Sequence, residues 1–301
     1  MYYFCYHSMT FIKWVGSKSK HLNKILSKFP TDTEDLVYVE PFIGSGSVLI
    51  EFLKTKPKIK RCICSDANRQ LITTFKQIKC HPNRLMKRLL ALSSEYEEAD
   101  NKEDLYYEYR DKYNNETLTD LETAAVFIFL NKTCFRGLYR LNKDDNFNVP
   151  FGHYKNPRFV DIEYMTMISE LFKEYHVKFT ACGYQDMLTN LDHNEKHLIY
   201  LDPPYLNTFD SYTTNKFNTK EFIDTVSKMN TKNNKLIVSN SEDFYKENPK
   251  FERVFGGNSK INTLMCILYW LLVITSVILV IIIIVKYIMT CKHKCYDACY
   301  K

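Results

Sequence analysis

Five short apolar runs, separated by helical patterning, limit the folds open to this chain more than any other feature. Residues 36–39 (LVYV), 61–65 (RCICS), 177–182 (VKFTAC), 198–201 (LIYL) and 236–239 (LIVS) read as strands. They are apolar nearly throughout rather than alternating, the pattern of strands buried on both faces. Residues 47–54, 69–79 and 161–175 read as intervening helices, and Asn218 with Glu221 three residues on marks a helix start before 222–229. Alternation of this kind predicts an α/β fold, a Rossmann-like doubly wound and mostly parallel sheet.

Residues 80–158 differ in texture. Charged, tyrosine-rich helical sequence (95–113) leads to Thr119 with Glu122, a capping-box pattern ahead of the apolar helix 124–130. Residues 131–154 are basic, aromatic and turn-rich. The whole segment reads as a subdomain inserted between two parts of the sheet domain, 1–79 and 159–260.

Further on, 264–285 is a run of 22 residues without a charge. As a helix at ~1.5 Å per residue it spans roughly 33 Å, matching a ~30 Å hydrocarbon core, so a C-terminal transmembrane helix is expected. With no apolar signal in residues 1–15, the expectation is a single-pass tail anchor that leaves the sheet domain in the cytosol. In the short tail 286–301, Lys286, Lys292, Lys294 and Lys301 stand against Asp297, half of the chain's net +6. The charge left on the rest argues only weakly for a polyanionic partner. Cys291, Cys295 and Cys299 with His293 lack the CxxC pairing usual for zinc, and no metal is expected. The cysteines before the apolar run are scattered, which suits reduced thiols rather than a disulfide framework. Cys62 and Cys64 are expected on opposite faces of a strand.

The sharpest motif is Asp202-Pro203-Pro204-Tyr205, directly after LIYL. Two prolines stop the strand and stiffen the turn, and the Pro203 carbonyl is left free to accept a hydrogen bond. A carboxylate beside a carbonyl makes a receptor for an exocyclic NH2 group, and the tyrosine ring can stack on the base that bears it. The plain alternative is an Asx-Pro turn with Tyr205 as packing. Glu40-Pro41-Phe42-Ile43-Gly44-Ser45-Gly46-Ser47 follows LVYV, and its glycines permit a tight strand-to-helix turn. Leu49 stands where a dinucleotide fingerprint needs its third glycine, which disfavours a pyrophosphate ligand. Asp66 ends RCICSD, placed either to hold ribose hydroxyls or to cap the helix from Arg69.

FIKWVGSKSK (11–20), VEPFIGSGSV (39–48), Asp66 and DPPY, in this order, resemble the Dam-type DNA adenine-N6 methyltransferases. NKTCFRGLYRLNKDDNFNVPFGHYKNP (131–157) is similar to that family's target-recognition hairpin and the stretch after it, so 80–158 becomes a DNA target-recognition subdomain. The resemblance implies S-adenosylmethionine as methyl donor, held by Trp14, Lys18, Phe42, Gly44, Gly46, Asp66 and Asp202, with Asp186 near its adenine. It implies catalysis by Asp202, Pro203, Pro204 and Tyr205 on an adenine flipped from double-stranded DNA. For DNA it implies Arg140 as a bidentate reader of guanine and Phe135 as a wedge. Lys132, Arg136 and Lys143 are implied as phosphate contacts, with Lys13 beside them. A GATC-like target follows, although Arg136 stands where relatives often carry Asn. No obligatory protein partner is evident. The alternatives are methylation of another exocyclic amine (cytosine N4 or an RNA adenine) and an inactive, membrane-tethered DNA-binding protein.

Overall fold

A computed structural model describes residues 11–204, 217–229, 231–240 and Phe244. These belong to the first of two units into which the chain divides, Met1–Phe255. No helix among the described residues is long and apolar enough to cross a membrane. The expected span 264–285, the tail 286–301 and Tyr205 lie outside the described residues.

The strands are β1 (Leu36–Glu40), β2 (Arg61–Asp66), β3 (Lys178–Ala181), β4 (Lys196–Leu201) and β5 (Asn234–Val238). Between them run α1 (Leu22–Leu26), α2 (Ser47–Lys54), α3 (Arg69–Cys80), α4 (Pro82–Glu98), α5 (Lys102–Asn115) and α6 (Asp120–Thr133). A 3-10 turn (Phe135–Gly137), α7 (Ile162–Glu174), α8 (Tyr184–Thr189) and α9 (Thr219–Lys228) complete the described elements. The expected cap residues act as such: Thr119 accepts the Glu122 amide and Asn218 the Glu221 amide.

The five strands form one sheet in the order β3-β2-β1-β4-β5, and every pairing is parallel. From β1 the chain steps outward to β2 and β3, then crosses back to β4 on the other side of β1. The loops leaving β1 and β4 therefore diverge from a topological switch point, where open α/β sheets bind ligands. The near-continuous apolar runs have their reason in coverage of both faces. Tyr38, Leu198 and Tyr200 pack with residues of α2, α3, α6 and α7 on one side. Val37, Val39, Ile199 and Leu201 pack with α8 and α9 on the other.

Cys62 and Cys64 correct the expectation made for them. Residues two apart in a strand share a face, and both thiols are buried in the first cluster while Ile63 packs on the second. Both are free thiols, as are Cys80, Cys134 and Cys182.

Helices α4 to α6 add no strand, and Leu85, Leu89, Tyr96, Tyr106 and Tyr109 join the first cluster. Residues 124–130 are buried throughout, which explains why that helix is apolar all round rather than striped. Arg88 of α4 ties the three helices together: Nη2 lies 2.8 Å from Glu122 Oε1 of α6 and donates to the Tyr109 hydroxyl of α5 at 3.0 Å, while Nη1 lies 2.7 Å from Glu95 Oε1 on its own helix.

Candidate active site

Three carboxylates stand at the carboxyl ends of β1, β2 and β4. Asp202 follows β4. Its Oδ2 lies 2.5 Å from Lys18 Nζ, which also donates to the Gly16 carbonyl at 2.8 Å. The other oxygen, Oδ1, is buried and has no hydrogen-bond partner among the described residues. Burial pushes the Asp202 carboxyl up to about 6, against the opposing pull of Lys18 and, less strongly, of the Ser239 hydroxyl. Glu40, the last residue of β1, accepts the Tyr38 hydroxyl at 2.9 Å. Burial, and then the negative neighbours Asp202 and Asp66, hold it well above the usual carboxylate range despite that donor.

Asp66 ends β2 facing the glycine turn. Its Oδ2 accepts the Gly44 amide at 3.1 Å and its Oδ1 the Asn68 amide at 3.0 Å. Burial raises its pKa, and these amide donors oppose the rise. The helix-cap alternative for Asp66 fails, because Asn68 caps α3 by accepting the Leu71 amide at 2.8 Å.

The glycine turn is shaped by what lies against it. Gly44 has φ +47°, and a Cβ there would sit 2.9 Å from Trp14 Cδ1. Gly46 has φ +69°, and a Cβ there would meet the Phe75 ring at 2.9 Å. A side chain at either position would be strained and would collide. The segment 11–20 thus lies across both loops: Trp14 on Gly44, Ser17 Oγ 3.2 Å from Ser45 Oγ, and Lys18 on Asp202. Trp14, Lys18, Gly44, Gly46, Asp66 and Asp202 form one group. Phe42 instead stacks on Tyr184, with ring centroids 5.2 Å apart, in an aromatic cluster with Phe217 and Phe222. Asp186 stands exposed on the first turn of α8, beyond β3.

The expected hairpin forms. Leu141 bridges Phe147 and Cys134 bridges Phe151, both antiparallel, and Lys143 lies exposed in the turn. Phe135 is 45% exposed. Arg136, at φ 56°, lays its guanidinium 5.2 Å from the centre of the Phe135 ring. Arg140 is half-buried; its Nε donates to Asn148 Oδ1 at 2.7 Å and its Nη2 to the Asn148 carbonyl at 3.2 Å. Lys13 crosses Gly137 so closely that a Cβ there would lie 2.4 Å from Lys13 Cβ. Its Nζ sits 3.7 Å from the centre of the Tyr154 ring. Lys132 does not project with them. It is half-buried at the end of α6, and burial, with Lys13 nearby, lowers its pKa to about 8.

Several residues that organise this region carry no obvious sequence signal. Asn131 is buried; it accepts the Lys13 amide at 2.8 Å and donates to the carbonyls of Lys13 (2.7 Å) and Gly137 (3.2 Å). It therefore fastens the segment bearing Trp14 and Lys18 to the start of the hairpin. Tyr139 stacks on Trp14 at 5.7 Å from the other side. The one available hint for Asn131 is a polar residue closing an otherwise apolar helix.

A parallel sheet with acidic strand ends around one switch point, and a basic hairpin fastened beside it, places the chain among the Rossmann-like α/β proteins that bind ligands at that point. Residues 14–263 match the family described as D12 class N6 adenine-specific DNA methyltransferase, and the chain belongs to that family. It is similar to the type II methyltransferase M.MjaIII of Methanocaldococcus jannaschii, 35% identical over 246 residues that cover 77% of this chain and 83% of the relative. It is also similar to the type II methyltransferase M.CviBI of Paramecium bursaria Chlorella virus NC1A, 29% identical over 241 residues (78% and 84% covered). The DNA adenine methylase of Escherichia coli strain K12 is 31% identical over 212 residues (69% and 70% covered). The chain is an adenine-specific DNA methyltransferase with S-adenosylmethionine as methyl donor. The residues fit that cofactor: Asp202, whose Oδ1 is buried at the switch point, and Asp66 at the neighbouring strand end place carboxylates where a cationic sulfonium and ribose hydroxyls can be held.

Proposed function

We propose that Asp202 and the Pro203 carbonyl receive the N6 amine of an adenine flipped out of duplex DNA, in a GATC-like site. The observation that carries this reading is the buried Oδ1 of Asp202, without a hydrogen-bond partner among the described residues, at the switch point beside a proline. A buried acceptor without a donor is costly, and an amine N–H satisfies it. Adenine N6 is a poor nucleophile because its lone pair is delocalised into the ring. Two acceptors on its two hydrogens favour the pyramidal amine, whose lone pair can then attack in line. When bound, S-adenosylmethionine supplies an electrophilic methyl on a sulfonium. The methyl would leave that sulfur for N6, the S–CH3 bond giving way to N6–CH3, and Asp202 would accept the proton that N6 sheds. With its pKa near 6, the carboxylate is ionised at pH 7 yet more basic than an ordinary aspartate.

Lys18 orients Asp202 through its ion pair. Trp14, Phe42, Gly44 and Gly46 shape the cofactor pocket, Asp66 holds the ribose, and Asp186 faces the cofactor's adenine. Tyr205 stacks on the flipped base. Phe135 wedges into the gap, Arg140 reads guanine, and Lys13, Arg136 and Lys143 contact phosphates, with half-buried Lys132 behind them. The test is sequencing of modified bases in DNA from a methylation-deficient cell expressing the full chain. N6-methyladenine in one short context supports the reading; methyl groups on another base, or scattered without context, refute it.

Residues 264–285 tether this enzyme to a bilayer, with the catalytic domain on the cytosolic side. Support comes from 22 residues without a charge, starting one residue past the matched region 14–263. Extraction of the full chain from cell membranes by alkaline carbonate alone would refute the tether.

A further inference from the structure

We infer that Asn148 is a positioning residue that sets Arg140 for base reading. The inference rests on the assignment of Arg140 as the guanine reader and deepens it. A guanidinium has two edges that can form a fork, one from Nε and one terminal nitrogen, the other from the two terminal nitrogens. Asn148 takes the first: its Oδ1 accepts Nε–H at 2.7 Å and its backbone carbonyl accepts from Nη2 at 3.2 Å. The second edge, Nη1 with the remaining N–H of Nη2, keeps its donors available. That is the fork that fits guanine O6 and N7. The Arg140 stem is fixed from the same partner, since the Asn148 amide donates to the Arg140 carbonyl at 3.1 Å.

Asn148 is itself held from behind. Its neighbours on both sides are pinned to α5, outside the hairpin. Asn114 donates to the Phe147 carbonyl at 3.0 Å and accepts the Phe147 amide at 2.9 Å. Tyr106 donates its hydroxyl to the Val149 carbonyl at 2.7 Å. Phe147 and Val149 are buried, at 3% and 1% exposure, while Asn148 between them is not. The alternation turns the Asn148 side chain away from α5 and onto Arg140. A long, flexible arginine thus reaches DNA with its rotamer entropy already largely lost, so the reading contact forms at lower cost.

The experiment uses the full chain with Asn148→Ala, Asn148→Asp and Arg140→Ala. Each is assayed for kcat/KM on a duplex carrying the preferred site and on duplexes with each base pair changed singly. Arg140→Ala identifies its base pair by a loss of discrimination there, about 5- to 150-fold for one bidentate contact. Asn148→Ala is expected to lose discrimination at that same pair and nowhere else. Asn148→Asp, which keeps the acceptor, is expected to restore it even if its added charge weakens overall DNA affinity. An Asn148→Ala enzyme that slows equally on all duplexes with discrimination intact overturns the inference while leaving Arg140 as reader. Full discrimination in Arg140→Ala overturns the Arg140 assignment, and this inference with it. Thermal unfolding of each variant identifies a variant that fails to fold, in which case the Asn148→Asp comparison decides.

Discussion

Replacing Lys18 with methionine tests the electrostatics of the site. The substitution keeps an unbranched side chain but removes the cation 2.5 Å from Asp202 Oδ2. Burial already raises Asp202 to about 6 while Lys18 opposes it. An adjacent opposite charge lowers a carboxyl by ~1–3 units, so its loss should move Asp202 to roughly 7–9. Ionised Asp202 at pH 7 then falls from about nine-tenths to between a half and a hundredth, a ~2- to 100-fold loss of rate recovered by raising the pH. The sign follows from the charge needed: the carboxylate accepts N6 hydrogens, so activity is lost as pH falls through the folded pKa. The assay is kcat/KM against pH for wild type and variant, since this profile reports groups of the free enzyme. Wild type should show an acid limb near 6, and the variant a limb displaced upward with its plateau regained at high pH. An acid limb that stays in place in Lys18→Met refutes the reasoning. So does a variant equally slow at every pH.

Gly44→Ala places a Cβ 2.9 Å from Trp14 Cδ1 at a φ of +47°; thermal unfolding should show a loss of about 1–3 kcal/mol, with weaker cofactor binding by calorimetry. Phe135→Ala removes a side chain that is 45% exposed, so stability should change by less than ~0.5 kcal/mol. Base flipping, read by 2-aminopurine fluorescence in the target position, should fall sharply. Asn131→Ala leaves the Lys13 amide and the Gly137 carbonyl without their partner; a loss of ~1–3 kcal/mol is expected, together with a raised KM for DNA.

The sheet was readable because strands covered on both faces must be apolar nearly throughout, and 36–39, 61–65 and 198–201 are. Helix α2 occupies Ser47–Lys54, the bounds expected for it, because the glycine turn fixes its start. The group at the switch point was readable by motif, since Gly44, Asp66 and Asp202 stand in or at the turns that leave β1, β2 and β4, and Trp14 belongs to the distinctive segment FIKWVGSKSK. What escaped was pairing across the chain. Asn131 and Lys13 bond although they are 118 residues apart, and nothing local marks either for the other. Lys132 looked like a surface base in a basic stretch, yet it closes a helix buried on all sides and is drawn inward with it. Asn148 lies in a turn-rich stretch with no local mark of its own. Its partner Arg140 is eight positions away, a separation set by the hairpin register and not by any local periodicity.

The central claim is that the Asp202 carboxylate activates adenine N6, and single-turnover methyl transfer tests it most directly. Full-length enzyme is mixed with radiolabelled S-adenosylmethionine and duplex DNA carrying the preferred site, and the labelled nucleoside is identified. The expected result is N6-methyladenine from wild type and a loss of ~100-fold or more in the transfer rate of Asp202→Ala, with cofactor and DNA both still bound. Undiminished transfer by a folded Asp202→Ala enzyme would contradict the account, as would label on a base other than adenine.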